Sequence, residues 1–235
     1  MRSLKLALIA LLLTSQAWAA ASRSFDGAND EIDMGAVLDI TTNDVSLCCW
    51  SKPTEDASFD HLLGKYDASP ATGYNIRQAD TTDIYGHVTA DGTDAMVATG
   101  TDKDGVWTWV CGTYNGSTQT GILYENGVQA GTDTDTAVGS LTVAMNLQFG
   151  ETGDDAFDMT GLLAYGSVWV SEILTTVQVN EYMWKPDLME QASGYWPLWG
   201  DATEIDLSAN ANTGTVTGAT TSGDGPPVMI GVGPV

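Results

Sequence analysis

The sequence is poor in positive charge, with 8 Lys and Arg against 31 Asp and Glu in 235 residues and a formal charge of −23. Charged residues make up only 17% of the chain, so the acidity comes from missing cations and not from acidic runs. Such a surface repels phosphate backbones and anionic headgroups, which sets nucleic acid and membrane surfaces aside as partners. Histidine is nearly absent: His61 and His87 stand on separate segments, and no Cys-x-x-Cys pair exists, so zinc has no ligand set. The three cysteines, Cys48, Cys49 and Cys111, allow at most one intramolecular bridge and leave one thiol over. The sequence also lacks a Gly-x-Ser-x-Gly elbow, a phosphate-binding loop and a dinucleotide fingerprint.

One apolar run is present, at the N-terminus. Arg2 and Lys5 precede Leu6–Leu13, and Ala17-Trp18-Ala19 forms a small-x-small cleavage site. This is the layout of a secretory signal peptide, and the run is shorter than the roughly 20 apolar residues of a membrane span. Residues 1–20 are therefore expected to be a cleaved signal. The mature protein is then secreted, extracellular or periplasmic, with no membrane span and in a compartment where disulfides persist.

The remainder has 43% hydrophobic residues, enough for a sizeable core. It alternates short β-rich runs with turn pairs such as Asp91-Gly92, Asp104-Gly105, Asn115-Gly116 and Asn126-Gly127, which supply the positive φ values of hairpin turns. Strands are predicted at Arg23–Phe25, Glu31–Met34, Asp44–Lys52, His61–Lys65, Tyr74–Gln78, Ile84–Thr89, Ala95–Thr99, Trp107–Tyr114, Gln119–Glu125, Leu141–Phe149 and Thr160–Val170. One short helix is predicted within Thr175–Lys185. This spacing means an all-β sandwich or barrel. Cys48 and Cys49 are adjacent in a strand and must face opposite sides of it. The segment 201–235, rich in Gly, Thr, Ser and Asn, is expected to be a loosely ordered tail, or an arm that docks on another subunit to make a homo-oligomer.

Five motifs in order resemble the laminin G-like, concanavalin A-type jelly rolls. They are Ser24–Gly35 (SFDGANDEIDMG), Val45–Pro53 (VSLCCWSKP), Trp107–Gly116 (WTWVCGTYNG), Gly121–Gly131 (GILYENGVQAG) and Met159–Tyr182. Tyr195–Ala219 is similar to the W-x-L and D-L-S-x-N-x-N-x-G segment that trails such modules. The resemblance implies a two-sheet antiparallel jelly-roll sandwich over residues 21–200. Trp50, Trp107, Trp109, Tyr114, Phe149 and Trp169 are then expected between the sheets. Pentraxins, in the same superfamily, join the two strands that match Val45–Lys52 and Trp107–Tyr114. That resemblance implies a Cys48–Cys111 disulfide, against the alternative of three free thiols, with Cys49 in the core.

Phe149–Phe157 (FGETGDDAF) loosely matches the pentraxin calcium loop, with Thr152 where a ligating Glu would stand. Asp154 and Asp155 there, and Asp67 in a neighbouring loop, are the candidate ligands for Ca²⁺, the one cofactor this reading admits. Laminarinase-type hydrolases of the same fold carry Glu-x-Asp-x-x-Glu on one strand. Glu31-Ile32-Asp33 and Glu204-Ile205-Asp206 each lack the last carboxylate, with Ala36 and Ala209 in its place, so no general acid is provided and no catalytic residue is assigned. The expected function is a secreted, non-catalytic recognition module for a glycan or cell-surface polysaccharide. The alternatives are a structural subunit of a surface, filament or virion, and a degenerate polysaccharide-active enzyme.

Overall fold

A computed structural model describes residues 21–54, 59–78, 84–154, 157–200 and 202–229; the expected signal, residues 1–20, lies outside them. The strands are β1 (Ser22–Asp26), β2 (Glu31–Asp33), β3 (Val45–Pro53), β4 (Asp60–Ala68), β5 (Ala71–Gln78), β6 (Ile84–Asp91), β7 (Ala95–Asp102) and β8 (Thr108–Asn115). They continue as β9 (Thr120–Glu125), β10 (Val128–Thr134), β11 (Gln148–Phe149), β12 (Thr160–Val170), β13 (Gly194–Trp196), β14 (Thr203–Glu204), β15 (Gly214–Thr217) and β16 (Thr220–Ser222). Helix α1 (Thr176–Trp184) and a 3-10 turn (Pro186–Gln191) separate β12 from β13. All pairings are antiparallel. Sheet A runs β10-β9-β8-β3-β12-β1-β16, with β13 also on β12, and sheet B runs β14-β15-β2-β11-β4-β5-β6-β7. This is the expected jelly-roll sandwich.

Side-chain alternation assembles two cores. Val45, Leu47 and Cys49 of β3 meet Ile32, Leu63, Tyr74, Ile76 and Phe149 between the sheets. Cys48 and Trp50 point the other way, into a second cluster with Trp109, Trp169, Val179, Tyr182 and Met189. Sheet A is therefore covered on its outer face too. The helix that covers it starts at Thr175, whose hydroxyl accepts from Gln178 N while Gln178 accepts from Thr175 N, a reciprocal capping box. Its buried face, Val179, Tyr182 and Met183, lies on the sheet. Trp109 Nε1 donates to Val179 O at 3.0 Å, and the Trp169 and Tyr182 rings stack at 5.3 Å.

This corrects the expected placing of the aromatics. Tyr114 and Phe149 do lie between the sheets. Trp50, Trp109 and Trp169 lie on the outer face, and Trp107 packs against that outer cluster. The reason is parity: Trp50 is two residues from Cys48 and must share its face.

Other departures have similarly local causes. The predicted strand Leu141–Phe149 pairs only at Gln148–Phe149; before that, Leu141 N donates to Asn43 Oδ1 and Thr142 Oγ1 to Ile40 O, and the segment runs as a strap. Strand β10 was not predicted, because its residues are mostly exposed and polar. It follows β9 through Asn126 (φ 49°) and Gly127 (φ 78°), the two left-handed residues of a tight hairpin turn. A side chain at 127 would collide with Asn180 of α1, whose Nδ2 donates to Gly127 O at 2.8 Å.

Of the segment 201–235 expected as a loose tail or docking arm, residues 203–222 pair with the two sheets. β15 extends sheet B beside β2, and β16 extends sheet A beside β1. Asp206, buried, accepts from Tyr195 N (2.9 Å), Ser208 N (2.8 Å) and Asn212 N (2.8 Å), so the D-L-S-x-N-x-N stretch is a turn wound round one carboxylate. Glu204 of β14 and Arg23 of β1 pair at 2.5 Å, both about 98–99% buried, and tie the two sheets together at this edge. Burial raises the Glu204 pKa more than Arg23 lowers it, so the pair is held together by the fold around it.

Two outcomes are expected. Cys48 and Cys111 are directly opposed, with Cα atoms 4.1 Å apart, and form the disulfide, while Cys49 is buried and free. The bridge spans 63 positions, for which chain entropy gives roughly 4 kcal/mol. In urea unfolding, Cys48→Ser should therefore lose several kcal/mol and expose the Cys111 thiol to titration, while Cys49→Ala should lose far less; equal losses would contradict the two-faced reading of β3. Glu204→Gln removes the carboxylate paired with a buried guanidinium and should cost about 3 kcal/mol. The double variant Arg23→Met/Glu204→Leu should recover much of that loss in the same measurement.

Candidate functional site

The outer face of sheet B is the only broad sheet face among the described residues that no helix covers. Alternation places Ile32, Leu63, Ile76 and Phe149 inward and turns Glu31, Asp33, Asn75, Arg77 and Gln148 outward. The connection after β11 begins with Gly150, whose φ of 86° and contact with Phe25 admit no side chain, and Glu151 and Thr152 are buried against the sheet. Asp154 then reaches β4, its Oδ2 accepting from Ala68 N at 3.1 Å.

Beneath this connection lies a network of polar groups. His61 faces Gln148 O through Nε2 (3.3 Å) and the Asn75 amide through Nδ1 (3.3 Å). An amide N–H can only donate to Nδ1, so the ring carries its proton on Nε2. Burial lowers the His61 pKa to about 4. Arg77 lies 4.6 Å over the Phe59 ring and 5.9 Å from that of Phe157. Gln148 Nε2 donates to Glu31 Oε2, and Asn146 Nδ2 to Asp33 Oδ2 at 2.9 Å. The Glu31–Asp33 near-motif is thus held by amides, and the Glu204–Asp206 one is structural.

Two of the three expected calcium ligands are Asp67, near the end of β4, and Asp154, in the connection after β11: Asp67 Oδ1 accepts from Ser69 N (2.9 Å), beside the Ala68 that Asp154 holds. Asp155 lies outside the described residues. Among the described residues, no three His, Cys, Asp or Glu side chains gather as a metal site.

Two open depressions flank Met145. One, of about 180 Å³, is lined by Ala144, Met145, Asn146, Gln148 and Gly153. The other, of about 310 Å³, is lined by Ala36, Asp39, Lys65, Thr142 and Val143 with the same Ala144 and Met145. The buried Lys65 ammonium donates to Val37 O (3.1 Å) and to Asp39 Oδ1. Sequence reading passed over Gln148, Asn146, Lys65 and His61. The alternation around Phe149 already turned Gln148 outward, but the carboxylate that fixes its amide comes from β2, over a hundred residues away.

Residues 26–176 match the family described as the concanavalin A-like lectin/glucanases superfamily. The chain belongs to that superfamily. No curated protein sequence matches it. Among solved structures it is similar to a candidate carbohydrate-binding protein from Bacteroides ovatus (TM-score 0.67, 16% identity), covering 89% of this chain and 61% of that one. The chain therefore spans about three-fifths of that protein's length. It is also similar to the native heptameric SAP-like pentraxin from Limulus polyphemus (TM-score 0.56, 16% identity, 70% of this chain and 82% of that one). A third similar structure is the Ruminococcus gnavus IT-sialidase CBM40 bound to α2,3-sialyllactose (TM-score 0.55, 13% identity, 69% of this chain and 97% of that one). For a lectin/glucanase superfamily member, the shared fold leaves the chemistry to the residues of its own site. Among the described residues no helix is long and apolar enough to cross a membrane.

His61 makes stability pH-dependent with a defined sign. Its ordinary pKa of 6.5 applies unfolded and about 4 applies folded, so protonation favours the unfolded chain. Stability should be full above about pH 6.5 and should fall by about 3 kcal/mol as pH approaches 4. Urea unfolding at pH 7 and pH 4.5 should show a smaller drop for His61→Gln than for the parent; equal drops would place the imidazole in water.

Proposed function

We propose that this protein is a non-catalytic glycan-binding module that works from the outer face of sheet B, beside the connection after β11. The observation that carries the reading is the fixed array of amides and carboxylates on that face, Glu31, Asp33, Asn146 and Gln148, next to open depressions. Saccharides are bound by such planar polar groups, which match paired hydroxyls. The described imidazole is committed to a carbonyl and an amide, which gives a nucleophile no base. The carbohydrate-binding description of the Bacteroides protein and the sialyllactose on the Ruminococcus module support the same reading. The module is exported, and its partner is a cell-surface or environmental polysaccharide.

Calcium dependence is the finer part of this proposal. Asp67 and Asp154 would contribute carboxylate oxygens to Ca²⁺, and backbone carbonyls of the two loops would complete the shell. A role as an assembly subunit has less support, because residues 203–222 spend their strand pairing on this chain's own sheets.

The full chain on a glycan array should retain specific glycans, and retention should fall in EDTA and in Asp154→Asn. Ca²⁺ should also raise the melting temperature by mass action. Retention of no glycan, with or without Ca²⁺, would remove the recognition reading. Identical retention and melting in EDTA and millimolar Ca²⁺ would remove only the metal.

A further inference from the structure

Gln148 has an acceptor with nothing to accept. The residue is 95% buried, its Nε2 is committed to Glu31, and its Oε1 has no hydrogen-bond partner. That commitment fixes the amide's orientation, because a carboxylate can take only the N–H₂ side. The free oxygen points toward Gly153: a Cβ there would lie 3.1 Å from Oε1 and 2.8 Å from Met145 Cε. Both residues line the smaller depression. A side chain at 153 would therefore press on the orphan oxygen from the side of the depression, and glycine does not. An unmet buried acceptor is costly, and a ligand donor that reaches it recovers that cost.

From this we infer that the paired depressions across Met145 form a subsite for a neutral, hydroxyl-rich oligosaccharide, with one sugar hydroxyl donating to Gln148 Oε1. The inference rests on the glycan-binding reading and names its position and sugar class. The two depressions share Ala144 and Met145, so a chain of two or more sugars can run from the Gln148 end to the Val143 end over an apolar ridge. Together they fall in the roughly 300–1,000 Å³ of small-ligand sites. Charge selects the class. Glu31 and Asp33 border one end and Asp39 the other, while the Lys65 ammonium is already spent on Asp39 and Val37 O. A sugar carboxylate or sulfate meets no free cation there and is repelled.

The test titrates the full chain, in constant Ca²⁺, with cellotriose, laminaritriose, maltotriose and mannotriose as neutral probes and with 3′-sialyllactose and trigalacturonate as anionic ones. At least one neutral trisaccharide should bind, more tightly than its disaccharide, and Gln148→Leu should weaken it about 10-fold. Gly153→Ala should do the same by filling the space; it needs no unusual backbone angle, so its melting temperature should match the parent's. Neutral binding that both variants leave intact would overturn this site while leaving the glycan reading standing. Preference for the anionic probes would overturn the sugar class. Binding of no saccharide at all, here and on the array, would overturn both readings. Titration with Ca²⁺ alone should be unchanged in Gln148→Leu; a weakened response there would make Gln148 a cation ligand and would also overturn the inference.

Discussion

The centre of sheet A has no solvent face, and much of the structure depends on that. Strand β3 is buried at eight of its nine positions, so each residue must suit one of two cores and the register cannot slip by one. Leu47 and Cys49 complete the layer between the sheets, whereas Cys48 and Trp50 complete the layer under α1. The disulfide to Cys111 belongs to this outer layer, where it fastens the two central strands on the side away from sheet B. Covering one sheet twice leaves the outer face of the other as the place where polar side chains can be arranged for binding.

Much of this was legible in the sequence because it is local. Alternation in β3 separated Cys48 from Cys49, Asn126-Gly127 marked a hairpin, and five ordered motifs gave the jelly roll. The Cys48–Cys111 pairing needed the resemblance as well as the pattern. What was hidden depends on partners distant in the chain. Nothing near Trp50 says that a helix beginning at Thr176 will cover its face, so an aromatic there reads as inter-sheet core. Nothing in the Gly- and Thr-rich stretch says that β1 and β2 leave edges open for β16 and β15. Low hydrophobicity reads as a loose tail, yet those residues are held by ladder bonds and by the turn around Asp206, neither of which needs apolar side chains.

The candidate site was legible in part for the same reason. Asp67 and Asp154 come from a resemblance, and their carboxylates accept from the adjacent amides of Ser69 and Ala68. The amide network was invisible, because Glu31, Asp33, Asn146 and Gln148 acquire their meaning only when β11 lies beside β2. A motif search gives weight to carboxylates at fixed spacing. Here the two carboxylates are the supports, and the uncharged residue they hold carries the unmet bonding capacity.

The scarcity of cations then bears on what such a face can bind. Beyond residue 20 the chain has Arg23, Lys52, Lys65, Arg77, Lys103 and Lys185. Five of them face carboxylates, in the pairs Arg23–Glu204, Lys52–Asp224, Lys65–Asp39, Lys103–Glu125 and Lys185–Glu181. The sixth, Arg77, lies over the rings of Phe59 and Phe157. Two of these pairs hold the C-terminal segment down: Arg23 binds Glu204 in the buried edge, and Lys52 together with Trp107 Nε1 grips Asp224. Five of the six cations are therefore neutralised by carboxylates within the fold, and Arg77 is committed to two aromatic rings. An anionic ligand would approach through the repulsion of a −23 chain, whereas a neutral polyol carries no such cost and gains short-range bonds to fixed amides. The charge imbalance evident from composition and the orphan acceptor on Gln148 thus select the same ligand chemistry by independent routes.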